Sequence, residues 1–164
     1  MMRPRKSFDE GHKRKFLVVI DDSPECLRAL IYAAKRAERT NGAVVLLYVL
    51  EPGDFQHWLG VESIMREEKM EEAQTILGRF GAKVRECASV EPELVIREGT
   101  RAEEVRQMIE DDEDIAVLVL GASEATEGPG PLVAAIAGKG AGTFPIPITI
   151  VPQTISDEEM DAIA

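Results

Sequence analysis

The chain has little cysteine, histidine or aromatic side chain: two Cys, two His and 5% Phe, Trp and Tyr in 164 residues. Cys26 and Cys87 show no metal-type spacing, and two histidines offer little further coordination, so no metal site is expected. No apolar run approaches the roughly 20 residues that a membrane span requires. The basic N-terminus is not followed by the apolar segment of a secretory signal. Cations are scarce beyond the first 15 residues, which hold six Lys/Arg against two Asp/Glu, so the remaining 149 carry −15 of the net −11. An acidic body of this kind excludes a nucleic-acid surface, which needs clustered cations. There is no internal repeat. These absences leave a reduced, cytoplasmic protein with one domain as the expectation.

What is present is ordinary for a globular domain: 45% apolar and 30% charged residues, in a chain long enough to bury a core without disulfides. Residues 1–14 read as a basic, disordered arm without apolar periodicity, residues 15–152 as the domain, and 153–164 as an acidic, peripheral tail. "KFLVVI", "AVVLLYVL", "ELVIRE", "IAVLVLGA" and "IPITIV" read as five strands. Ser23 and Pro24 open a helix on which Leu27, Leu30, Ile31, Ala34 and Ala37 recur at helical spacing, and Asn41-Gly42 stops it. A second helix is expected over about 61–80, ended by Gly81. A third is capped by Thr100, with Glu103 and Glu104 suiting its dipole. Alternating strands and helices with wholly apolar strands define a five-stranded, mostly parallel α/β sheet covered by helices on both faces. In such sheets the ligand site lies beyond the carboxyl ends of the strands.

Two doubly wound families share the opening "VVIDDSP". A phosphoacceptor receiver domain would use Asp21 and Asp22 as a metal pair. It also needs an acceptor carboxylate after a central strand and a lysine near the last strand; here "IPITIVP" lacks the lysine. A helix-capping region with one functional acid is the preferred reading. "FLVVIDDSPECLRALIYAAKRA", "VVLLYVLEP", "VIREGTRAEEVRQMIEDDEDIAVLVLGAS" and "FPIPITIVP" together resemble the universal stress protein family in order and spacing. The resemblance runs over most of residues 15–152 and implies its adenine-nucleotide hydrolase-like sandwich fold. It also implies a homodimer formed through the last strand, Ile146 to Val151, and leaves protein partners open. The sequence places no nucleophile–base pair, His-rich metal motif or acid pair with a reason for a shifted pKa, so no enzymatic activity is expected.

ATP-binding members of that family carry Gly-x₂-Gly-x₉-Gly-Ser/Thr after the fourth strand, where backbone N–H groups approach phosphate closely. Counted from Gly121, the three later positions hold Glu124, Ala134 and Ala135. Ala135 supplies no hydroxyl. A carboxylate about 4 Å from a phosphate charge costs roughly 1 kcal/mol in water and about 4 kcal/mol at an effective surface dielectric. Lys139 is the only cation from residue 115 to the end. The loop keeps the outline of a phosphate cradle and lacks most of its chemistry, so no cofactor is expected; Mg²⁺ bridging Glu124 to ATP or AMP is the alternative. By the same resemblance Asp21 would meet ribose and adenine, Val49 would offer backbone contacts to the base, and Gly121 and Ser123 would meet phosphate, with Ala134 and Ala135 at the lost positions. Asp21 could equally do no more than accept hydrogen bonds from loop N–H groups. His57 and Trp58 form an aromatic pair near the mouth that could cover a ligand, meet a partner or pack on the next helix. "EDDED" at 110–114 reads as a solvated turn.

Overall fold

The computed structural model describes residues 3–52 and 62–164; His57 and Trp58 lie outside them. The elements run β1 (Lys15–Val19), α1 (Pro24–Arg39), β2 (Ala43–Leu50), α2 (Glu62–Cys87), β3 (Glu93–Glu98), α3 (Arg101–Asp111), β4 (Ile115–Ala122), α4 (Pro131–Ala137), β5 (Ile148–Pro152) and α5 (Asp157–Ile163). The strands form one sheet in the order β3-β2-β1-β4-β5, and all four pairings are parallel. A receiver domain has the order 2-1-3-4-5, so the topology rules that reading out.

Each central strand is apolar throughout because each of its faces meets helices. Phe16, Val18 and Ile20 face one core with the buried sides of α1, α2 and α5, while Leu17 and Val19 face the other with α3 and α4. The first helix ends as expected. Asn41 takes the left-handed conformation at φ 54°, and Gly42 N–H returns to the Ala37 carbonyl at 2.7 Å. A side chain at 42 would press on the Arg14 carbonyl oxygen at 2.6 Å, so only glycine fits.

Five expectations need correction. Helix α2 does not stop at Gly81 but continues to Cys87. A Cβ at 81 would meet Leu94 Cδ2 at an ordinary contact distance of 3.4 Å, so this buried position faces β3 without ending the helix. The last strand begins at Ile148 rather than 146, because Pro145 and Pro147 have no N–H for the ladder; Ile146 is buried beside it instead.

The N-terminal segment is docked rather than free. Arg5 Nη1 donates to the carbonyls of Ile109 (2.7 Å), Asp112 (3.0 Å) and Ile115 (3.3 Å), closing the C-terminus of α3. That helix has no basic residue of its own in its last turn, so the arm supplies the charge its dipole favours. Lys6 and Arg3 pair with Glu113, His12 with Asp114 and Lys15 with Asp112. The acidic turn at 110–114 is thereby the seat of the arm, not a free solvated loop.

The acidic tail likewise forms a helix. Ser156 Oγ caps it by accepting from Glu159 N–H at 3.1 Å, and Met160 is fully buried against the core. Arg28 pairs with Asp157 at 2.8 Å and Lys35 with Asp161 at 2.5 Å.

Candidate functional site

With this strand order the chain leaves β1 toward one side and β4 toward the other, so a crevice opens between their carboxyl ends. A cleft lies there, lined by Val19 at the end of β1, Asp21 just after it, Glu25 and Cys26 of α1, Leu120 and Gly121 of β4, the Pro129–Val133 segment, and Arg101 at the start of α3. Its volume is about 40 Å³, room for about one water molecule, whereas small-molecule sites usually span about 300–1,000 Å³.

The residues expected from sequence are distributed unevenly around it. Asp21 lines the cleft, and its Oδ1 accepts hydrogen bonds from Ser23 N–H at 2.8 Å and from the Ser23 hydroxyl. Ser23 occupies the cap position of α1 but makes no side-chain cap bond, since its hydroxyl is turned back to Asp21. Thr100 stands at the cap of α3, also without a side-chain cap bond. Gly121 lines the cleft for a packing reason: a Cβ there would overlap the carbonyl oxygen of Glu25, so glycine lets the first turn of α1 sit on β4. Val49 is buried within β2, paired with Arg97, and is not part of the lining. Ser123 turns its own loop, its N–H donating to the Pro129 carbonyl and its Oγ accepting from Ala125 N–H at 3.1 Å.

Ala134 and Ala135 are not in the cleft. The loop ends at Gly130 (φ 110°) and α4 starts at Pro131, so both alanines lie within the helix on its exposed side. Counting from the strand placed them about one turn too deep. The residue that opens this helix is a proline, which has no N–H to offer an anion. Glu124 is exposed, with its N–H donating to Gln153 Oε1 at 3.0 Å.

Two residues that the sequence reading passed over dominate the charge of the cleft. Glu25 projects from the first turn of α1 toward the glycine loop, and a Cβ on Gly130 would lie 3.7 Å from its Oε1. Arg101 is the one cation in the lining. Its Nη2 stands 3.7 Å from Glu51 Oε1, and its Nε is buried without a hydrogen-bond partner. Such an unmade bond costs about 1–3 kcal/mol, and an ion pair at partly exposed positions returns about 0–1 kcal/mol. A signal for Arg101 was legible: a cation in the first helical turn opposes the dipole. Cys26, in the floor, donates to the Val19 carbonyl at 3.5 Å; burial, above all, pushes its thiol up to about 12. It is a packing residue and not a nucleophile. Among the described residues no group of three or more His, Cys, Asp or Glu could hold a metal ion, and no helix is long and apolar enough to cross a membrane.

A parallel α/β domain with this strand order carries its cleft at the switch point, where open sheets of this architecture take their ligands. The model of the universal stress protein family matches residues 13–152, and the chain belongs to that family. Among solved structures it is similar to the universal stress protein UspA from Lactobacillus plantarum, with TM-score 0.69 and 16% identity over 84% of this chain and 97% of that one. It is also similar to a universal stress protein in complex with cAMP (TM-score 0.61, 16% identity, 84% and 96% covered). A third similar structure is the protein from Archaeoglobus fulgidus in complex with dAMP (TM-score 0.59, 18% identity, 84% and 97% covered). No curated protein matches the chain.

Proposed function

We propose that this universal stress protein domain is a non-enzymatic, cytoplasmic regulatory module that pairs with a second copy through β5 and does not hold ATP productively. The observation that carries the reading is the acidic closure of the cleft. Glu25 reaches the glycine loop at Gly130, and Asp21 adds a second carboxylate to a space of about 40 Å³. A triphosphate brought to this loop would meet the Glu25 charge in place of the N–H donors and hydroxyl that a phosphate cradle supplies. The β5 edge supports pairing: it presents Ile150, 43% exposed, on a strand with one free side.

A second reading is an adenine-nucleotide site with altered phosphate contacts, holding ATP or AMP with Mg²⁺. It is favoured by the similar structures in complex with cAMP and dAMP. Calorimetric titration of the purified chain with ATP and Mg²⁺, beside Glu124→Gly and Glu25→Gly, decides between them. No heat from the wild type is expected, with binding gained in Glu25→Gly. Micromolar binding by the wild type would sink the first reading in favour of the second.

A further inference from the structure

We infer that Arg101 is the gate of this cleft: its side chain stands in the lining with Asp21 and Gly121, held near Glu51, and a ligand enters only when the guanidinium swings out to solvent. The inference rests on the reading of the cleft as the ligand site of the domain and adds how access to it is controlled.

The origin of Arg101 matters first. Every other lining residue comes from β1, the turn after it, α1, β4 or the segment around the start of α4, on either side of the crevice. Arg101 comes from the start of α3, which follows β3 at the sheet edge, with β2 standing between β3 and β1. It reaches the crevice only by the length of its side chain, so it can leave without moving any strand. The way it is held matters next. The separation of 3.7 Å from Glu51 exceeds a hydrogen bond, and Nε is buried with no acceptor. Outside the cleft water would satisfy that donor, so the closed position is weakly held. The cation also sits in the first turn of α3, where the helix dipole opposes it.

The charges left behind define what can replace it. With Arg101 withdrawn, the charged groups of the lining are Asp21 and Glu25. They accept hydrogen bonds and repel anions. Once open, the cleft therefore favours ligands whose hydroxyl and amino groups donate, an uncharged nucleoside among them, ahead of the same nucleoside carrying phosphates.

The test is titration of the full chain with adenosine and, separately, with ATP and Mg²⁺, in the wild type, Arg101→Ala and Glu51→Gln. Arg101→Ala is expected to bind adenosine at least tenfold more tightly than the wild type. Glu51→Gln, which keeps the arginine and loosens its tether, is expected to gain a smaller factor, and ATP should bind more weakly than adenosine in all three. Unchanged adenosine affinity in both variants would overturn the gate. So would binding lost in Arg101→Ala, since that makes Arg101 a ligand contact. Tight ATP binding by the wild type would instead defeat the proposed function, and the ratio of variant to wild-type adenosine affinity would still decide the gate.

Discussion

The carbonyl oxygen of Glu25 occupies the position where a side chain on Gly121 would begin. The glycine that the family pattern assigns to ligand approach is here consumed by helix packing. Gly121→Ala is therefore expected to destabilise the fold by about 1–3 kcal/mol, as overpacking does, with no nucleotide present. Urea denaturation of the two proteins measures this. Equal midpoints would mean that α1 can shift, and that the contact is not tight.

The two thiols should separate cleanly. Cys26 is buried, and its thiol is pushed up to about 12 by that burial. Cys87 is half-buried, with its thiol also raised by burial, though Lys35 and Lys83 pull the other way. Titration of the native protein at pH 8 with a chromogenic disulfide should show slow reaction of Cys87 alone. Both thiols should react in denaturant. Fast modification of Cys26 in the native state would show that the floor of the cleft opens to solvent.

The tail helix should undock in acid before the sheet unfolds. A hydrogen bond from Lys35 holds Asp161 below its ordinary 3.8, and one from Lys6 holds Glu113 of the arm's seat below its ordinary 4.5. Carboxyls lowered in the folded state stabilise it above their unfolded values, and the contribution is lost as pH falls through the folded ones. Hydrogen exchange should thus show α5 and the arm losing protection below about pH 4, earlier than β1 and β4, and Met160→Ala should cost about 2–5 kcal/mol at neutral pH. Simultaneous loss of protection in sheet and tail would count against separate docking.

Pairing through β5 has its own check. Ile150→Lys places a charge on the exposed side of the edge strand, a natural means of blocking strand addition. Light scattering should give a monomer mass for this variant and a dimer mass for the wild type. A dimer in both would move the interface elsewhere.

Much of this fold was readable because the informative residues act locally. "AVVLLYVL" and "IAVLVLGA" become strands whatever surrounds them, and Asn41-Gly42 terminates α1 through its own backbone geometry. Gly81 misled because a helix buried against β3, with Leu94 beside it, runs on through a glycine whose own preference costs only about 1 kcal/mol. The arm and tail were misjudged for a related reason. Arg5 finds carbonyls more than a hundred residues distant, and Met160 finds a core that neither terminus encodes. In the site, Asp21 and Gly121 do line the cleft, because strand ends are fixed by topology. Ala134 and Ala135 were not, because Pro131 starts α4 early and rotates them outward. Glu25 and Arg101 carry no motif; each matters through where its helix begins.

The two edges of the sheet are unequal, and this limits what can be built from them. The β3 edge carries Glu93, Arg97 and Glu98, engaged with Lys15, Asp111 and Arg66, and such a charged border refuses a further strand. Under the proposed pairing, the β5 edge is the border that takes one. A molecule with a single adhesive border can satisfy it once, against the same border of another copy. If copies pair as proposed, growth by strand addition then has nowhere to continue, so rising concentration is expected to yield pairs and no fibre.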